Sequence, residues 1–154
     1  MMKRFLRMAL VVLILLVAGF VGFIRFAPSI PDRWNVAISR DTIAETGSCA
    51  AAMITERNGA YAACLSPMPP AALLTQIDTI AMTTPRTTRL AGTPGEGRIT
   101  WITRTPLMGF PDYTTAEAIE TPSGTRLDIY ARQRFGSGDQ GVNAARLKDW
   151  LSRL

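Results

Sequence analysis

The chain has 154 residues, with 17 Lys and Arg against 12 Asp and Glu, no histidine and a net charge of +5. The missing imidazole excludes a Ser-His-Asp triad, a Cys-His dyad and every histidine metal site. Lys3, Arg4 and Arg7 carry three of the charges, and +5 less these three leaves +2; that is too little for a nucleic-acid footprint, so nucleic acid is not an expected partner.

The first element is an uncharged apolar run, Met8 to Ile24. As a helix it spans roughly 25 Å, near the lower limit for crossing a bilayer core. Phe5, Leu6 and Phe26 extend it if Arg7 and Arg25 snorkel, and Pro28 and Pro31 stop it. A cleavable signal peptide is the competing reading, with Val17-Ala18-Gly19 as the cleavage site. A signal h-region is only about 7–15 residues, and here the apolar run continues through Ile24, which favours an uncleaved transmembrane anchor over residues 1–27. Lys3, Arg4 and Arg7 before the span are denser than Arg25, Arg33 and Arg40 after it. The positive-inside rule then puts the N-terminus in the cytoplasm and the remainder in the periplasm, anchored in a bacterial inner membrane.

Residues 28–47 read as a membrane-proximal linker with little periodicity, and residues 48–154 as the folded domain. Asn58-Gly59 marks a two-residue hairpin turn between strands near 51–56 and 60–64. Cys49 and Cys64 can form a disulfide, closing a loop of about 15 residues and contributing ~3 kcal/mol. In that hairpin, however, Cys64 faces Met53, and the thiols stand roughly 13 Å apart along the strand. Either the hairpin is short and the chain curls back, or the thiols stay free; an exported cysteine pair favours the bond.

Pro69 or Pro70 starts a helix whose apolar stripe is Ala71, Leu73, Leu74, Ile77, Ile80 and Ala81. Strands follow at Thr87–Ala91, Arg98–Arg104, Tyr113–Glu120 and Thr125–Arg132, separated by Gly and Pro turns. The last alternates cleanly, with Leu127, Ile129 and Ala131 inward and Arg126, Asp128, Tyr130 and Arg132 outward. A final amphipathic helix is expected to start with Asn143 as N-cap, Val142 and Leu147 as a hydrophobic staple, and Leu147, Trp150, Leu151 and Leu154 on its apolar face. Consecutive strands flanked by helices predict an α+β domain with a mainly antiparallel sheet behind the N-terminal helix. Trp34, Trp101 and Trp150 are read as core or membrane-interface residues.

The C-terminal pattern Arg134, Gly136, Asp139, Gly141, Asn143 and Arg146 resembles the bacterial envelope-associated domain-of-unknown-function family 1499. An upstream family pattern is met in part by Arg104-Thr105, Gly109-Phe110 and Asp112, and Cys64-Leu65-Ser66 corresponds to a family Cys-Val-Ser step. Tyr113 stands where a second Asp is usual, Tyr130 where an arginine is usual, and Gln133 replaces a serine. The resemblance covers about Pro69 to Leu154; it implies a domain of unestablished activity and supplies no catalytic residues.

Gly136-Ser-Gly-Asp-Gln-Gly141 matches a dinucleotide fingerprint, but neither a second parallel strand nor a ribose-binding acid can follow in the residues that remain before Leu154. No cofactor and no metal site is expected. Candidate ligand-binding residues are Arg104, Asp112, Arg132, Arg134, Asp139 and Asn143, since guanidinium groups beside a helix start suit an anion. The alternative is internal pairing, with Arg134 bonded to Asp139 across the glycine turn and both converging with Arg104 and Asp112 to dock the last helix. Two functions follow: a membrane-tethered, non-catalytic domain binding a protein, lipid headgroup or other anionic envelope component, or an envelope enzyme using this Arg/Asp cluster. A pocket holding Arg104, Asp112, Arg134 and Asp139 would favour the enzyme; a packed, mutually satisfied cluster would favour the binding domain.

Overall fold

The structure is a computed structural model that describes residues 2–40, 45–46, 49–50 and 52–154. The apolar N-terminal run forms helix α1 (Met2–Phe26), followed by one turn of helix α2 (Pro31–Trp34). The strands are β1 (Glu45–Thr46), β2 (Met53–Glu56), β3 (Gly59–Ser66), β4 (Thr87–Thr93), β5 (Arg98–Arg104), β6 (Pro111–Thr121) and β7 (Gly124–Gln133), with α3 (Pro70–Thr83) between β3 and β4 and α4 (Val142–Ser152) last. They form one sheet in the order β1-β3-β7-β6-β5-β4, with β2 sharing the β3 edge with β1. Among the described residues six strands are antiparallel, and the two-residue β1 is parallel to its neighbour. The expected α+β class is thus the observed one.

Helices α3 and α4 cover one face. Leu73, Leu74, Ile77, Ile80 and Ala81 of α3 are buried as the periodicity predicts, whereas Ala71, at the start of the stripe, is exposed. They meet Ile99, Trp101, Ala116, Leu127, Ile129 and Ala131 from the strands and Leu147, Trp150 and Leu151 from α4. Trp101 and Trp150 pack edge to face with centroids 5.6 Å apart. Each indole N–H finds an acceptor at 2.8 Å, Asp78 Oδ1 for Trp101 and Thr84 Oγ1 for Trp150, so neither indole donor is left unsatisfied.

The turn chemistry of the first hairpin differs from expectation. Glu56 pairs with Gly59, so the two-residue turn is Arg57-Asn58 and Gly59 opens β3. Gly59 is needed for close approach instead: a Cβ there would collide with the Ala131 carbonyl oxygen of β7. The shorter hairpin resolves the cysteine conflict. Met53 faces Ala62 rather than Cys64, β2 begins only at Met53, and the chain turns at 49–50 to set Cys49 against Cys64 with Cα atoms 5.1 Å apart in a disulfide. Ala51 of the expected strand lies outside the described residues.

The second face of the sheet is not solvent. Thr100 and Thr115 are fully buried and Asp128 is nearly so. They lie under residues 27–40, which run across the face as a strap rather than as a free linker; residues 41–44 and 47 of that expected linker lie outside the described residues. Trp34 stacks on Tyr113 at 3.7 Å between centroids and 5° between planes. Thr100 Oγ1 donates to Asn35 Oδ1 at 3.0 Å, the Ile38 N–H donates to Glu117 Oε2 at 3.1 Å, and Arg132 donates to the Trp34 carbonyl at 2.8 Å.

Candidate functional site

Asp112, Asp139, Asn143 and Arg146 gather where β6 meets the start of α4. Gly141, in left-handed conformation at φ 80°, holds the N-cap position, so Val142 and Asn143 are the first helical residues. Asn143 therefore does not cap the helix through its own side chain. The cap comes from Asp139, whose Oδ1 accepts the Gly141 N–H at 3.0 Å and whose Oδ2 accepts the Asn143 N–H at 3.1 Å. A carboxylate across two orphan donors at the positive end of a helix satisfies both hydrogen bonding and charge. Val142 is consequently half exposed rather than stapled to Leu147.

Asn143 is fully buried, and its Oδ1 accepts a hydrogen bond from Arg146 Nη1 at 2.7 Å. The same guanidinium reaches Asp112 Oδ2 at 3.1 Å, with both side chains of that ion pair more than nine-tenths buried. Asp112, Asn143 and Arg146 thus tie the end of β6 to α4. Burial pushes the Asp112 carboxyl above its usual range, Arg146 opposes that shift, and nearby Asp139 adds to it. Arg146 completes the cluster although it is absent from the candidate set; its position three residues after Asn143, on the same helix face, was the available signal.

The expected pairing of Arg134 with Asp139 is not formed. Arg134 Nη1 instead donates to the Pro28 carbonyl at 3.0 Å and to Tyr113 Oη at 3.2 Å, so the strap and β6 supply its partners. Arg104 likewise stays away from Asp112 and donates to the Gly109 carbonyl at 2.9 Å in the loop between β5 and β6. A cleft of about 370 Å³ beside the cluster is lined by Thr105, Phe110, Asp112, Phe135, Gly138 and Asp139, among others, but by neither Arg104 nor Arg134. The four groups named from the sequence do not converge.

Arg132 lies elsewhere again, on the strap-covered face, with its guanidinium 5.4 Å from the Trp34 ring centroid and 5.1 Å from that of Tyr130. Burial, reinforced by the nearby Arg40 cation, lowers its pKa, and no carboxylate pairs with it among the described residues. Arg40 itself is bonded to Glu56 and sits over Tyr130.

The other end of the strap carries the junction with α1. Most of that helix is exposed, yet Ile24 is 1% and Ala27 7% exposed. Phe23 meets Phe135 edge to face at 6.3 Å, and Phe135 lies 6.2 Å from Phe110. Arg25 donates to the Leu107 carbonyl at 3.4 Å. The last turn of the apolar helix is therefore seated on the domain beside the family-pattern cluster.

A family model described as a protein of unknown function (DUF1499) matches residues 39–154, which extends the resemblance read at the C-terminal half back to the strap. No curated protein matches the chain.

Proposed function

The chain belongs to the DUF1499 family, and on that premise we propose that it is a single-pass membrane protein of the bacterial inner membrane whose periplasmic domain binds rather than catalyses. The observation that carries this reading is helix α1, 25 residues long with a mean hydropathy of 2.7 over its most apolar window, only 6% of which is buried. A helix apolar all round and unburied needs another apolar phase around it. Its last turn packs on the domain through Ile24 and Phe23, so the domain sits at the membrane surface. A signal peptide cleaved after Gly19 would leave the apolar stub Phe20–Phe26 on the mature protein. The Cys49–Cys64 disulfide supports an oxidising compartment for the domain, consistent with Lys3, Arg4 and Arg7 remaining in the cytoplasm.

Binding is favoured over catalysis because the family-pattern carboxylates are occupied. Both oxygens of Asp139 hold the α4 N-terminus, and Asp112 is locked to Arg146. A packed cluster of this kind fixes a helix; it presents no free acid and base to a substrate. Protease added to cells with a permeabilised outer membrane tests the topology. The domain is expected to be digested and the intact N-terminus to remain with the membrane; a protected domain, or a mature N-terminus near Phe20, overturns the reading.

A further inference from the structure

Three arginines from three elements meet at the β5–β6 turn beside the membrane end of α1. Arg25 comes from the last turn of α1, Arg86 from the turn between α3 and β4, and Arg104 from the end of β5. They line one pocket of about 440 Å³ together with Phe26, Pro106 and Gly109. Arg86 Nε donates to the Arg104 carbonyl at 3.1 Å, and Arg104 Nη1 donates to the Gly109 carbonyl at 2.9 Å. Arg25 lies along Gly109 so closely that a Cβ there would stand 3.1 Å from its Cγ and 3.3 Å from its Nε. Gly109 (φ 73°) is thus required both for the turn and for the approach of the cation.

Each guanidinium gives one N–H to a backbone carbonyl, and a guanidinium has five to give. Among the described residues no carboxylate pairs with Arg25, Arg86 or Arg104, whereas Arg98, Arg126 and Arg146 are paired with Glu117, Asp128 and Asp112. Like charges held together without a counter-charge repel, so the arrangement is complementary to an anion from outside the chain. Arg86 also keeps a left-handed backbone, φ 60°, a conformation a non-glycine residue rarely adopts, and this directs the chain at the pocket rim.

The surroundings identify the anion's class. Phe26, which lines the pocket, and Leu107, whose carbonyl accepts from Arg25, stand 86% and 83% exposed where α1 leaves its apolar phase. A soluble phosphate has no use for an apolar rim, whereas a phospholipid places its phosphate and the first part of its acyl chains at this depth. A choline headgroup would carry its own cation into a pocket that already holds three. We propose that Arg25, Arg86 and Arg104 form a binding site for the headgroup phosphate of an anionic glycerophospholipid in the leaflet next to the domain. The site rests on the membrane anchoring proposed above and adds to it a lipid preference.

The test uses the full-length chain in phosphatidylcholine nanodiscs carrying a trace of spin-labelled phosphatidylglycerol or, in parallel, spin-labelled phosphatidylcholine. Electron paramagnetic resonance then reports the motionally restricted fraction of each label. The glycerol lipid is expected to be preferred, and Arg86→Gln/Arg104→Gln to lower that preference by about fivefold for each arginine removed. Lys3→Gln/Arg4→Gln, equally cationic but at the opposite end of α1, is expected to leave it unchanged. If the double variant does not fold, Arg86→Gln alone, at an exposed side chain, is expected to show its single share of the loss. Equal restriction of the two lipids, or a loss that follows Lys3 and Arg4 instead, overturns the lipid site. A chain that fails to co-elute with the nanodisc overturns the anchoring as well, so the two failures are distinct.

Discussion

One face of the sheet hides Leu127, Ile129, Ala116 and Trp101 under two helices; the other hides Thr100, Thr115, Glu117 and Asp128 under an irregular strap, and both sets are buried to a similar extent. The helix-covered face is held by apolar area and close packing. The strap-covered face is held by one aromatic stack and by hydrogen bonds and ion pairs satisfied one at a time, such as Thr100 with Asn35 and Arg98 with Glu117. The difference teaches that burial alone does not identify the core. Apolar burial stabilises by roughly 25 cal/mol per Å² of surface removed from water, whereas a hidden hydrogen bond contributes a net of only about 1 kcal/mol and mainly avoids the larger cost of leaving a polar group alone.

Breaking the helix-covered face should therefore cost most. Trp150→Ala removes a side chain only 1% exposed, its edge-to-face partner contact with Trp101 and its bond to Thr84. A loss of about 3–5 kcal/mol is expected, read as a fall in melting temperature of the full chain in detergent. An unchanged melting temperature would mean that α4 is not docked on the sheet.

Trp34→Ala probes the strap with the same residue type. Trp34 is only partly buried, and its stack on Tyr113 is the largest contact it loses. About 1–2 kcal/mol is expected, from the stack and a modest apolar area. Hydrogen exchange sharpens the comparison: amides of β5 and β6 near Thr100 and Thr115 should lose protection in Trp34→Ala while those of α3 keep theirs. A loss as large as that of Trp150→Ala would make the strap part of the core.

The smallest effect is a pH dependence from the buried pair at the end of the helix-covered face. Asp112 has a folded pKa raised above its ordinary 3.8, chiefly by burial, with Arg146 opposing and Asp139 assisting. The folded state then holds the proton more tightly than the unfolded chain. Its contribution to stability is fully present below pH 3.8 and is lost as pH rises through the folded pKa. The difference in melting temperature between the parent chain and Asp112→Asn, followed from acid to neutral pH, should change in that window and in that direction. A difference that stays constant with pH would mean that Asp112 is not protonated in preference in the fold.

The periodic elements were legible in the sequence because their signal is local. Leu73, Leu74, Ile77 and Ile80 announce α3, the alternation of Leu127, Ile129 and Ala131 announces β7, and an apolar run of Met8 to Ile24 can hardly be anything but a long apolar helix. The family pattern was legible for the same reason, since glycines and charges at fixed spacing near α4 mark a turn that only certain residues can make. Partner choice was not legible. Arg134 and Asp139 are five positions apart, yet Arg134 turned to Pro28 and Tyr113 while Asp139 took the helix end, because a side chain's partner depends on what the other strands and the strap bring within about 3 Å. The disulfide likewise depended on a two-residue shift in hairpin register that the Asn58-Gly59 signal alone misplaced.

By itself, then, the sequence determined the apolar helix, the α+β class and the helical and strand faces, which follow from periodicity and backbone preference along the chain, and it carried the residue pattern that resembles the family. Only the tertiary structure decided that the segment after the helix is a strap on a polar sheet face, that Arg146 rather than Arg134 or Arg104 pairs with Asp112, and that Arg25, Arg86 and Arg104 share one pocket. Those three facts join residues tens of positions apart, and charge and hydrogen bonding act over a few ångströms of space whatever the separation along the chain.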